Sequence, residues 1–287
     1  MQDALALKTR PLLPGFGVEI LDIDIATADR ETLDAVIDTF HRNGAIVLRN
    51  QSLTPAQQVA FTREFGEPEG NVREEFTHPD FPEIMVISNK IVDGKPIGNP
   101  EAGLNWHTDF QYGVRTALCT LLYGIETPPV GSDTLLADLC TAWNALPEEK
   151  QAQIDGLRTH FSYQLFQEKR GVALTQEQKD AMPDVLHPLV RRHPADGRKA
   201  IWGLAVGPVK RLIGKDGEEM DEEESITLIK ELIAFCTQEK FVYAHKWQPG
   251  DLLVWDNRCT LHTGTRFDFD KYIRHVHRTW VRGDVPF

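Results

Sequence analysis

"FVYAHKWQPGDLLVWD", residues 241–256, holds two strand-like runs on either side of Pro249-Gly250. Val, Tyr and Trp favour extended backbone, and a Pro-Gly pair marks a turn. The second run is strongly apolar from Leu252 to Trp255. Similar short runs recur along the chain. "GAIVLRN", Gly44 to Asn50, reads as a buried strand, and "EIMVIS", Glu83 to Ser88, as another. "TALCTLLYGIE" and "SDTLLADL" lie on either side of the turn-rich "TPPVG", and "IRHVHRTWV" closes the series.

Helical patterns are fewer. In "LTPAQQVAFTREFG", Thr54 is placed to cap, Pro55 to occupy the first helical position and Gly66 to stop the helix. "AWNALPEEKQAQIDGL" is helical in pattern. The acidic "GEEMDEEESITLIKELIAFCTQ" leads into a helix with an apolar stripe of Ile226, Ile229, Leu232 and Ile233. Alternation of strand and helix is not sustained. A mainly β architecture follows, an antiparallel barrel or jelly roll with flanking helices. Residues 165–222, with "PDVLHPLVRRHPADGRK", are expected to form a long loop or insert, of the kind that serves as a lid.

The chain has 287 residues, enough for one large domain or two small ones. A net charge of -12 argues against a nucleic-acid surface. The start, "MQDALALKTRPLLPG", has only a short apolar patch broken by Lys8, Arg10 and prolines, so neither a signal peptide nor a membrane span is expected. Cys119, Cys140, Cys236 and Cys259 lie far apart with no C-x-x-C, as in a cytoplasmic protein with free thiols.

"LNWHTDFQY", Leu104 to Tyr112, carries the chemistry. On an extended segment residues two apart project to one side, so His107 and Asp109 would offer a nitrogen and a carboxylate oxygen together. His262, just after the Leu252–Trp255 run, would supply a third ligand, although alone it reads equally as a buried histidine at a strand end. Two histidines and one carboxylate form a facial triad, which leaves three positions of an octahedral ion open, as an Fe(II) oxygenase requires. Zinc would normally take a tetrahedral set with more nitrogen or sulfur ligands. Taken alone, H-x-D occurs by chance in many chains.

The last strand adds two cations. Arg274 and Arg278 share a strand face about 13 Å apart at the backbone, at ~3.3 Å per residue. Guanidinium forks match carboxylates, so two such groups could serve two different anions. Exposure, or pairing with acidic neighbours, is the ordinary alternative.

Trp106-His107-Thr108-Asp109, "PPVGSDTLLADLCTAWNALP", "WDNRCTLH", Arg274 and "HRTWVRGD" together resemble the Fe(II)/2-oxoglutarate-dependent taurine dioxygenase family. That family includes the 2,4-dichlorophenoxyacetate dioxygenases. The resemblance runs from "GVEILDIDI" to "RGD", and "FVYAHKWQPGDLLVWDNRCTLH" and "QKDAMPD" look most like the aryloxyacetate branch. It implies a double-stranded β-helix, one domain over residues 1–287, and iron ligands His107, Asp109 and His262. It implies that Thr134 and Arg274 hold the distal carboxylate of 2-oxoglutarate. It further implies that Arg278 meets the anionic group of the prime substrate. Phe110 and Tyr112 are expected to form part of that substrate's apolar wall. Ser132 stands where family members often have a second glycine, and the stretch from Gly70 to His78 does not align clearly with known members.

The implied activity couples oxidative decarboxylation of 2-oxoglutarate by dioxygen to oxidation of a substrate C–H bond. The expected substrate is a small carboxylate or sulfonate. Hydroxylation beside oxygen, sulfur or nitrogen would give a product that splits. A filled carboxylate position at Asp109 argues against a halogenase. Alternatives are desaturation or other oxidation of a natural-product precursor, and a non-catalytic metal-binding sensor. A homo-oligomer stays open.

Overall fold

The computed structural model describes residues 5–70, 75–100 and 103–287. Eight strands form a major sheet. Their spatial order is Thr9–Leu13, Phe16–Ile20, Ala45–Leu48, Leu252–Asp256, Ala117–Glu126, His275–Arg282, Phe81–Ser88 and Thr77–His78. Only the pairing of Phe16–Ile20 with Ala45–Leu48 is parallel. A minor sheet places Thr134–Asp138 between Val242–His245 and Thr260–Gly264, both antiparallel to it.

Side-chain alternation explains why the central strands are apolar throughout. Ile46, Leu48, Leu252 and Val254 face the helices Arg30–Asn43 and Pro55–Arg63. Ala45, Val47, Leu253 and Trp255 face the opposite way, into a core shared with Leu136 of the minor sheet. A strand covered on both faces has no polar side, so its period-two pattern vanishes from the sequence. Each buried Val, Leu or Ile side chain among them contributes roughly 1.5–3 kcal/mol by leaving water. Beyond the minor sheet, Ala137 and Leu261 pack on the helices Leu139–Ala145 and Glu222–Cys236. The result is a jelly roll between helical layers, mainly β, with seven α-helices among the described residues. No helix among them is long and apolar enough to cross a membrane.

Local chemistry sets most boundaries. Thr54 and Gln57 form a reciprocal capping box with Pro55 following, which satisfies helix N–H groups that have no partner within the helix. That helix ends at Arg63, before the expected stop at Gly66. The pattern in "AWNALPEEKQAQIDGL" does not become one helix. It divides into Leu139–Ala145 and Glu148–Ile154, with Leu146 extended ahead of Pro147. Proline disfavours helical backbone in the residue before it and lacks the N–H to continue. In Glu222–Cys236 the buried stripe is Ser225, Leu228, Ile229, Leu232 and Cys236, while Ile226 and Ile233 are only partly covered.

Residues 165–222 contain short ordered elements. Val185–Pro188 and Val209–Ile213 flank Arg158–Phe161 in a three-stranded sheet, and Val190–Arg192 pairs with Lys199–Ile201. Leu189, Ile201, Leu204 and Leu212 root this subregion in the core behind the minor sheet. Of the Gly70–His78 stretch, residues 71–74 lie outside the described residues.

Candidate metal centre

His107 and His262 are brought face to face by their backbones. Each donates its N–H to the other's carbonyl at 2.9 Å, as an isolated antiparallel bridge. The Thr108 hydroxyl donates to the Thr260 carbonyl at 3.1 Å, and the Asp109 N–H to Asn257 Oδ1 at 3.3 Å. The H-x-D segment is thus stitched to the strand that carries the third residue. It is not itself a strand: only His107 is bridged, and Asp109 already lies in a turn. The next residue, Phe110, has φ +51°, an uncommon conformation for an aromatic residue. Its ring stacks on Trp280 at 3.8 Å.

The three side chains converge. Asp109 Oδ1 lies 3.7 Å from His107 Nε2, and Oδ2 lies 3.7 Å from His262 Nε2. One ligand atom from each residue falls within 4.8 Å of the others. His107 Nδ1 is 2.6 Å from the Asn105 carbonyl. A carbonyl only accepts, so Nδ1 carries the proton and Nε2 offers its lone pair. Burial works to raise the Asp109 carboxyl. Arg278, the two imidazoles and the Thr120 hydroxyl outweigh it and hold the group well below the usual carboxylate range. Burial, with His107 and Arg278 nearby, pushes His262 well below the usual imidazole value. A neutral imidazole beside an ionised carboxylate is the donor state a divalent cation needs.

Between the sheets lies a cavity of about 80 Å³. Met85, Ile87, Leu122 and Trp255 give it apolar walls, and Thr134, Arg274 and Arg278 join the three converging residues as its polar lining. Arg274 is 7 % exposed and has no acidic partner among the described residues; its Nε is without a hydrogen bond. Burial alone lowers its pKa to about 10. Thr134 Oγ1 accepts from Trp247 Nε1 at 3.1 Å, which leaves the hydroxyl proton free to donate. Arg278 is engaged. It lies 2.9 Å from Asp109 Oδ1 and donates to Met85 Sδ at 3.5 Å. Phe110 and Tyr112 are not among the residues lining the cavity. Tyr112 packs against Tyr163 and Phe166, with ring centroids at 4.8 and 6.0 Å.

The chain matches the family described as taurine catabolism dioxygenase TauD, TfdA over residues 8–280. It belongs to that family. It is 34% identical over 278 residues to the alpha-ketoglutarate-dependent 2,4-dichlorophenoxyacetate dioxygenase of Cupriavidus pinatubonensis, covering 92% of this chain and 94% of the relative. It is 29% identical over 260 residues to pentalenolactone F synthase of Streptomyces arenae, covering 85% and 84%. Among solved structures, AAD-2 in complex with Mn(II) and N-oxalylglycine superimposes with a TM-score of 0.80 at 27% identity, covering 98% of this chain and 99% of that one. The protein is therefore an enzyme, a dioxygenase that depends on Fe(II), 2-oxoglutarate and dioxygen and acts on a small molecule. The cavity fits those groups: it offers three converging donors and a buried cation with no acidic partner among the described residues.

A second convergence escaped the sequence. His193, Asp256 and Cys259 also place ligand atoms within 4.8 Å of one another, all buried. Here the carboxylate is occupied. Arg258 Nε donates to Asp256 Oδ1 at 2.8 Å and its NH2 to Oδ2 at 2.5 Å, while His193 Nε2 is 3.0 Å from Oδ2. His193 and Asp256 are far apart in the chain, so a search of near neighbours could not pair them. Thr120 and Asn257, which contact Asp109, were also missed. Asn257 stands inside "WDNRCTLH", whereas Thr120 carries no local signal within its strand.

Proposed function

We propose that the enzyme hydroxylates a small anionic substrate, a carboxylate or sulfonate, and that His107, Asp109 and His262 hold the iron. Arg274 carries this reading. A cation buried without a partner is costly, and this one lines the same cavity as the converging triad. The distal carboxylate of 2-oxoglutarate supplies the missing anion, with Thr134 adding a hydrogen bond. The bound iron with 2-oxoglutarate supplies the oxidising power, and the protein's groups bind, orient and exclude water.

Arg278 is the second anion site on this reading. It reaches the substrate's charged group by leaving Asp109 Oδ1. Met85, Ile87 and Leu122 form the inner apolar wall. Phe110 and Tyr112 extend it outward, toward Tyr163 and Phe166 at the root of the 165–222 subregion, which then acts as a lid. An aryloxyalkanoate would suit this arrangement and would fragment after hydroxylation beside its ether oxygen. The named activity of the Cupriavidus relative favours this class. The Streptomyces relative, a synthase by name, favours oxidation of a natural-product precursor as the second reading. A net charge of -12 and four free buried cysteines support a cytoplasmic enzyme without nucleic-acid or membrane partners.

The test is a substrate panel of aryloxyalkanoates, sulfonates and amino-acid derivatives. Protein is loaded anaerobically with Fe(II) and 2-oxoglutarate, then exposed to oxygen, and succinate is measured with the oxidised product. Anionic members should stimulate succinate formation and their neutral esters should not. Stimulation by esters as strong as by acids would remove the anion requirement. Product analysis separates hydroxylation with fragmentation from desaturation.

A further inference from the structure

The side chain that meets Asp109 from inside the sheet has no role in the reading above. Thr120 lies on the Ala117–Glu126 strand, opposite Trp255 on one neighbour and Trp280 on the other, fully buried. Its hydroxyl is 2.6 Å from Asp109 Oδ2. Asn257 Nδ2 is 2.9 Å from the same hydroxyl oxygen. Asn257 Oδ1 lies 3.2 Å from Trp255 Nε1 and 3.3 Å from the Asp109 N–H.

The direction of every bond in this chain is determined. The Trp255 indole and the Asp109 amide can only donate, so the oxygen of the Asn257 amide must face them. Its NH2 then faces Thr120 and donates. Thr120 has a single proton, and with its oxygen accepting from Asn257 that proton is aimed at Asp109 Oδ2. The carboxylate accepts there and is gripped from a fixed side. Arg278 holds the other oxygen at the end of a long, partly exposed side chain, whereas Thr120 is short and fully buried.

We propose that Thr120, oriented by Asn257, is a positioning residue that fixes the rotation of the Asp109 carboxylate toward the metal. The inference rests on the reading of His107, Asp109 and His262 as ligands. Without the hydroxyl the carboxylate could turn about its last bond, and the set of three donors would lose its preformed geometry. Partners of metal ligands commonly change metal affinity about 10–100-fold when removed. A mere packing role predicts a different pattern, because valine fills the same volume on a strand as threonine.

The experiment titrates metal-free protein anaerobically with Co(II) and follows its visible absorption, which reports coordination geometry, in wild type, Thr120→Val and Thr120→Ser. Thermal melts without metal show that each variant is folded. Thr120→Val should bind Co(II) about 10–100-fold more weakly and with an altered spectrum, while Thr120→Ser, which keeps the hydroxyl, should restore both. Thr120→Ala replaces the valine variant if the latter does not fold. Valine binding as tightly as wild type, with the same spectrum, would overturn the inference alone. So would a serine variant as weak as valine, since the methyl and not the hydroxyl would then be what matters. Wild-type protein that takes up no divalent ion would overturn the ligand reading, and this inference with it.

Discussion

Two groups of buried histidine, aspartate and a third ligand residue lie on either side of the turn that joins Leu252–Asp256 to Thr260–Gly264. Around His107, Asp109 and His262, ligand atoms gather at a cavity, and an arginine nearby has no acidic partner among the described residues. Around His193, Asp256 and Cys259, ligand atoms gather equally closely, but Arg258 already binds both carboxylate oxygens. Closeness of the three ligand atoms does not distinguish the two. The difference lies in whether the buried charges are already matched. A matched cluster is structural, and an unmatched one calls for a ligand.

The largest effects should break the comparison if it is mistaken. His107→Ala and His262→Ala should abolish Fe(II) binding and activity while the protein stays folded. Asp256→Asn should do the reverse, retaining metal but losing stability by roughly 3–5 kcal/mol, because Arg258 is left buried without its partner. Anaerobic metal titration and thermal melts on all three variants read both quantities. Loss of metal in Asp256→Asn with an unchanged melt would reverse the two assignments.

The two arginines offer a smaller contrast. A charge-assisted hydrogen bond contributes about 1.5–3 kcal/mol, and ~1.4 kcal/mol is a decade in affinity. Arg274→Ala should therefore raise the 2-oxoglutarate requirement at least about tenfold, with lysine restoring only part. Arg278→Ala should raise the prime-substrate requirement and leave that for 2-oxoglutarate much less affected. Titration of each co-substrate against each variant decides this. Equal damage to both by Arg278→Ala would mark it as structural, through its bond to Asp109.

The smallest effect concerns a cluster of three imidazoles, His78, His275 and His277. His277 lies with ring centroids 5.1 Å from His275 and 5.5 Å from His78. Burial, His275 and His78 lower its pKa from 6.5 to about 3. Lys90 and Glu126 lie near His275 with opposite effects. The unfolded state takes up a proton near pH 6.5 that folded His277 refuses. Its contribution is thus intact above that pH and is lost as pH falls toward about 3. His277→Gln should melt with a shallower dependence on pH between 7 and 5 than wild type. An identical dependence would show that His277 takes no part in it.

Legibility from sequence followed the range of the forces involved. The helix beginning at Pro55 was readable because its cap is made within four residues. The strands were readable as apolar runs, although the sheets that cover them were not. Pro147 should have divided the helical pattern after Trp143, and the apolar spacing on both sides hid it. Residues 165–222 resisted because strands of three to five residues, such as Val190–Arg192, owe their form to the core behind the minor sheet. At the cavity, the residue pattern pointed to His107, Asp109 and His262. What stitches them together is long-range: a backbone bridge, Asn257 and Thr120. The hold of Arg278 on Asp109 was equally out of reach, because a strand pattern shows which face a side chain takes but not which partner it finds there.

The turn between the two clusters has a consequence for mutational tolerance. Connections usually run over the surface and accept substitution freely. Here Asp256, Asn257, Arg258, Cys259 and Thr260 are each no more than 5% exposed. Asp256 and Arg258 neutralise one another on one side, and Asn257 serves Asp109 and Thr120 on the other. The Thr260 carbonyl holds Thr108, and the Cys259 thiol donates to the Asp256 carbonyl. A saturation library scored for folding and activity should therefore find its least permissive five-residue window across this three-residue turn and the strand residue on each side of it, with hardly a neutral path through it.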